Sequence, residues 1–137
     1  GPCVAKRKEV KMDPAVDFTL TFEEIGSILE GLDIKVEEAK PFSVLYNSVR
    51  EAHGFAQSGG VINAVKVYLK GEQVNAVQVA NLTKKNVALL RAYAKTGKAP
   101  AQFIEVMACE GGCVTGPCIH ADKVAGQKQL IKELTKF

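Results

Sequence analysis

The chain has 137 residues, 47% of them hydrophobic and 24% charged, with a net charge of +3, which suffices for one sizeable core and a single domain over 1–137. No apolar run approaches the roughly 18 residues of a membrane-spanning helix, and no charged start leads into an apolar stretch and a small-residue cleavage site, so neither a membrane span nor a secretory leader is expected. The one basic run, Lys6 to Lys8 with Lys11, is broken by Glu9 and has no interleaved aromatic residues to stack on bases, so nucleic acid is not an expected partner.

Taken in chain order, Val16, Phe18 and Leu20 alternate with polar neighbours and predict a strand. Thr21 and Glu24 stand at capping-box spacing and predict a helix whose buried stripe is Ile25, Ile28 and Leu29, stopping at Gly31. Residues 33 to 57 hold no sustained period and read as a long connection with one short helix around 42 to 52. Ser58, Gly59 and Gly60 open a second helix, with Val61, Ala64, Val65, Tyr68 and Leu69 at helical spacing up to Gly71. Val74 to Ala80 is short and valine-rich, a candidate buried strand, and Thr83 to Thr96 predicts a helix with Val87, Leu90 and Ala94 inward and Gly97 as its stop. Phe103 to Met107 predicts a further strand, and a closing helix from about Ala121 to Lys136 is expected to bury Val124, Ile131 and Leu134.

Strands alternating with helix-length crossovers predict an α/β fold: a parallel sheet of three to four strands with flanking helices. Ligands of such sheets sit beyond the carboxyl ends of the strands, and "MACEGGCVTGPC", residues 107 to 118, lies there. No strand precedes Gly1-Pro2-Cys3, so the sequence is expected to be the C-terminal part of a longer protein, with an uncovered sheet edge open to self-association; Gly1 and Pro2 are equally readable as a protease scar.

Three of the four cysteines, Cys109, Cys113 and Cys118, fall within this loop. So apolar a chain does not need disulfide staples, so a reduced, cytoplasmic setting and a metal or redox role are preferred. Cys109 and Cys113, four apart, suit a loop wrapped round an iron–sulfur core better than a zinc knuckle, which would need a second pair; a redox Cys-x-x-Cys is absent. Gly111 and Gly112 keep side chains away and can aim amides at sulfur. Buried structural cysteines at a turn remain the competing reading.

"FIEVMACEGGC", residues 103 to 113, resembles the third cysteine motif of the catalytic domain of iron-only, or [FeFe], hydrogenases, E-x-M-A-C-x-x-G-C. "GPCVAKRKE", residues 1 to 9, resembles that family's second motif, P-C-x-x-K-x-x-E, and "VDFTLTFEEIG" and "FAQSGGVINAVKVYL" resemble the segments between the two. The resemblance implies an enzyme that interconverts hydrogen with protons and electrons on a [4Fe-4S] cubane joined to a two-iron subsite, the H-cluster. By the same resemblance Cys3 and Cys109 bind the cubane, and Cys113 binds it and bridges to the two-iron subsite. Lys6 donates to a cyanide ligand, Glu9 supports Lys6, and Met107 packs on the two-iron unit. The implied partners are the remainder of the hydrogenase polypeptide and an electron carrier such as ferredoxin.

The sequence also departs from the family pattern. The first cysteine motif, which supplies the fourth cubane ligand and a proton-relaying cysteine, is not among these residues, so the fragment alone is expected to be inactive. Gly1 stands where many members have methionine, and Val114 to Cys118 replaces the usual glycine run, as in divergent and hydrogen-sensing members. Cys118 reads as an acid–base thiol or a packing residue, His120 as a cap or surface residue rather than a group behind the ligands, and His53 has no expected role. A hydrogen- or redox-sensing module and a noncatalytic hydrogenase-like iron–sulfur protein are the alternative functions.

Overall fold

The structure is a computed structural model that describes residues 1–40, 42 and 50–136. Its centre is a parallel pair, β1 (Ala76–Ala80) and β2 (Phe103–Met107), in register from Ala76 opposite Phe103 to Ala80 opposite Met107. In chain order the helices are α1 (Lys6–Val10), α2 (Phe22–Gly31), α3 (Arg50–His53), α4 (Gly60–Tyr68), α5 (Lys84–Thr96) and α6 (Lys123–Leu134). Parallel neighbours need a crossover, and α5 supplies it. The Thr83 hydroxyl accepts from the Asn86 amide to start α5, and Gly97 at φ +66° ends it. Helix α6 is capped by Asp122, whose carboxylate accepts from the amides of Val124 and Ala125.

The sheet is narrower than the sequence suggests: two strands among the described residues, against an expected three to four. The expected strand at Val16 to Leu20 has no strand partner among the described residues, and Phe18 stays 86% exposed. Alternation alone does not make a strand without a ladder of hydrogen bonds, and this segment pairs with neither β1 nor β2. The segment is held instead at its end, where the Gly1 ammonium donates to the Leu20 carbonyl at 2.7 Å. Of the short helix expected around 42 to 52, Arg50–His53 forms; 41 and 43–49 lie outside the described residues.

The helix ends match their local signals better than the helix faces match their stripes. Thr21 and Glu24 form the full capping box, Thr21 N donating to the Glu24 carboxylate at 2.8 Å and Glu24 N to the Thr21 hydroxyl at 3.2 Å. Yet Ile25 and Ile28 of the expected buried stripe are exposed and Leu29 is only half-buried. Tyr68, Ala94, Val124 and Ile131, also expected inside, face outward; α6 half-buries Leu134 as expected, along with Gly126, Gln127 and Leu130. The enclosed apolar side chains among the described residues are Ile62, Ala64, Val79 and Cys118.

The physical reason is one of area. The chain exposes 10650 Å², whereas a compact monomer of its 14.7 kDa exposes roughly 6900 Å². The apolar stripes are present in the sequence, but these residues alone do not supply what would cover them. Among the described residues no helix is long and apolar enough to cross a membrane.

Candidate metal centre

Strand β2 carries the chain to Met107 and delivers Cys109 into the loop just beyond the carboxyl end of the sheet. Pairing continues one step past the strands, Leu82 N donating to the Ala108 carbonyl at 3.1 Å. The chain then turns on Gly111 at φ +84° and Gly112 at φ +95°, the left-handed region that glycine enters without strain. Gly112 N donates to the Cys109 carbonyl at 3.1 Å, and Gly116 N to the Cys113 carbonyl at 2.9 Å, closing a 3₁₀ turn over Cys113–Thr115. The buried Thr115 hydroxyl donates to the Gly112 carbonyl at 2.9 Å and lies against that of Glu110, so the loop between Cys109 and Cys113 is braced from within.

It is also braced from outside. Ser58 N donates to the Gly111 carbonyl at 3.1 Å. A Cβ on Gly112 would stand 2.6 Å from Ser58 N and 2.7 Å from the Ala56 carbonyl oxygen, a contact with backbone that cannot yield. Next to the loop, the Pro2 carbonyl accepts from Cys118 N at 3.2 Å, and a Cβ on Gly116 would stand 2.7 Å from that same carbonyl oxygen. The two ends of the sequence that carry cysteine motifs therefore lie side by side.

Lys6 follows Cys3 by three residues. Its ammonium bonds Glu9 at 2.6 Å, and this hydrogen bond is the main cause raising its pKa above 10.5, with desolvation opposing and the Glu9, Cys3 and Cys113 charges adding attraction. Glu9 is thus the partner of Lys6, as expected. Lys6 is more than half exposed rather than buried, because nothing among the described residues closes over it. Met107 is half-buried and, by strand alternation, shares the face of β2 that carries Glu105.

All four cysteines are free thiols: Cys3 and Cys109 half-buried, Cys113 exposed and Cys118 buried. Burial, and then the neighbouring Glu23 carboxylate, push the Cys118 thiol up. His120 is an exposed surface residue and not the cap of α6: its Nε2–H donates to the Phe22 carbonyl at 2.7 Å, and its ring lies where a Cβ on Gly26 would be. His53 ends α3, away from the loop in sequence.

Two residues of the site escaped the sequence reading. Glu105 is 4% exposed, and its carboxylate accepts from Gly59 N at 2.5 Å and Ile62 N at 2.9 Å at the start of α4. A lone charge in the middle of an apolar strand was the signal. Ser58 has a hydroxyl sealed from solvent with no hydrogen-bond partner, the orphan of this kind among the described residues, and no sequence signal marks it.

The residues fit an iron–sulfur group by donor chemistry and by shape. Three soft thiols, partly accessible, flank a glycine turn that has no side chains to obstruct a bulky core, and the orphan Ser58 hydroxyl adjoins that turn. Among the described residues no three His, Cys, Asp or Glu side chains converge closely enough to hold a single metal ion. Three cysteines at this end leave a cubane's fourth ligand to be found elsewhere.

Comparison with known proteins agrees with this geometry. Human nuclear prelamin A recognition factor is 30% identical over 170 aligned residues, covering 90% of this chain and 37% of that protein, so the chain spans little more than a third of the relative's length. The model of the family described as iron only hydrogenase large subunit, C-terminal domain, matches residues 1–117 and takes in both cysteine motifs, Lys6 and the whole sheet. On that match the chain belongs to this family of iron-only hydrogenase C-terminal domains.

Proposed function

We propose that this chain is one wall of the H-cluster pocket of an iron-only hydrogenase, with Cys3, Cys109 and Cys113 as ligands of the [4Fe-4S] cubane. The observation that supports this reading is that the two cysteine-bearing segments, from opposite ends of the sequence, touch: the Pro2 carbonyl accepts from Cys118 N and lies tight against Gly116. When bound, the two-iron subsite supplies the hydrogen chemistry and the cubane an electron path. Cys113, which the family resemblance makes the bridging ligand, is the most exposed of the three thiols and so open to a cluster. Lys6 would donate an ammonium hydrogen bond to an anionic cyanide ligand of the subsite, and Glu9, bonded to it at 2.6 Å, favours its charged form. Met107, soft and apolar, fills space at the strand end and keeps water away.

The remainder of the hydrogenase polypeptide supplies the fourth ligand and the opposite wall, and an electron carrier such as ferredoxin exchanges electrons with the cubane. The large uncovered apolar surface supports this placement within a bigger body. A second reading, a noncatalytic or sensing hydrogenase-like iron–sulfur protein, is favoured by the relative, which is named for recognition rather than for hydrogen chemistry.

The two separate in the intact polypeptide after maturation with the two-iron subsite. The catalytic reading predicts hydrogen-dependent dye reduction that falls by about 10-fold or more in Lys6→Met, by loss of a charge-assisted bond. A polypeptide that holds cubane iron but never takes up the subsite points to the noncatalytic protein.

A further inference from the structure

We propose that Glu105 is a positioning residue for the cysteine loop, acting through the Ser58–Gly59 turn; this rests on the reading of the loop as a cluster site. A buried carboxylate is costly unless its charge is met, and Glu105, the buried residue of an otherwise part-exposed strand, meets it with two backbone amides at the positive end of a helix. Helix α4 has no cap of its own to offer: Gly59 at its start has φ +89° and no side chain, and no side chain of the local sequence caps it. The cap therefore comes from the strand, 46 residues away from Gly59 and four before Cys109.

That distant cap ties two segments together at successive points. Glu105 grips Gly59 and Ile62, while Gly111 accepts from Ser58 N and Gly112 fits against the backbone of Ala56 to Ser58 with no room for a Cβ. Residues 105 to 112 thus hold 56 to 62 at both ends of one stretch, and Cys109 lies between the two grips. Removing the Glu105 carboxylate frees the Gly59 amide and lets the Ser58–Gly59 turn shift. The Gly111 carbonyl then loses its fixed partner, and the separation of Cys109 and Cys113 relaxes. Glu105 touches no ligand atom, so its effect reaches the cluster only through this turn.

The test uses the intact polypeptide reconstituted anaerobically with iron and sulfide, comparing Glu105→Gln and Glu105→Ala with Val79→Ala, a buried truncation on the neighbouring strand. Iron per chain, electron paramagnetic resonance g values and melting temperature are read together. Gln keeps one acceptor oxygen but sets an NH₂ against the second amide, so Glu105→Gln retains the cubane with altered g values. Glu105→Ala lowers affinity for the cluster by about 10- to 100-fold, the range for partners that orient metal ligands. Val79→Ala lowers the melting temperature with wild-type g values. Wild-type g values in Glu105→Gln overturn the proposal even where Glu105→Ala does not fold, as does a Glu105→Ala protein with wild-type iron content. A wild-type chain that binds no cubane at all overturns the underlying cluster reading, and the proposal with it.

Discussion

At Thr21 and Glu24 a four-residue pattern carries its own geometry. The Glu24 carboxyl is held down at about 2, chiefly by the Thr21 amide and then by Arg7 and the Thr21 hydroxyl. Its pKa is depressed relative to the ordinary 4.5, so its contribution to stability is complete above that value and is lost as pH falls from 4.5 through 2. A carbon-13 titration of the carboxyl should show a midpoint near the lower figure, and Thr21→Ala should cost about 1 kcal/mol in denaturant unfolding and move the midpoint only part of the way back up, because alanine keeps the backbone amide. An unshifted Glu24 in the wild-type chain would contradict the capping box. The same scale shows where sequence reading stops: Thr21 and Glu24 are neighbours, whereas Glu105 finds its partners at Gly59 and Ile62, and no local pattern announces a bond across that distance. Cys3, Lys6 and Cys113 could all be named from their motifs, but the contact of Pro2 with Gly116 and Cys118 that brings the two segments together is seen only once the chain is folded.

Among the elements, those set by local rules were legible and those set by missing neighbours were not. Thr83, the 3.6-residue period and Gly97 gave α5 its ends, and Phe103 to Met107 its strand, because caps and short valine- or isoleucine-rich runs act within a few residues. Val16 to Leu20 has the alternation of a strand, but among the described residues it joins neither β1 nor β2. The faces of α2 and α6 follow the same logic. Ile28 sits on the apolar side of α2 but is 46% exposed. Ile28→Lys should therefore change the unfolding free energy of these residues alone by less than about 0.5 kcal/mol, as at an ordinary surface site. In the intact polypeptide the same change should cost about 1 kcal/mol or more, on the scale of the transfer energy of a covered isoleucine. Equal small effects in both would show that α2 is an outer surface.

For the molecule as a whole, the excess of roughly 3700 Å² over a compact monomer is the fact that organises the rest. It explains an α/β topology with a two-stranded sheet, a core of a few side chains, and a lysine left open beside two thiols. Both strands also present a free edge, a surface that a larger body must cover or that would pair with another copy. The candidate site lies at the same open end, with ligands from the two cysteine motifs and a glycine turn clamped by Glu105 and Ser58. The most direct measurement is anaerobic reconstitution of the intact polypeptide with iron and sulfide, with iron counting and electron paramagnetic resonance before and after reduction, in the wild type and in Cys109→Ser, Cys113→Ser and Cys118→Ser. The account predicts a cubane signal that Cys109→Ser and Cys113→Ser abolish and Cys118→Ser leaves intact. A cubane that survives Cys109→Ser, or that is lost only in Cys118→Ser, would contradict it.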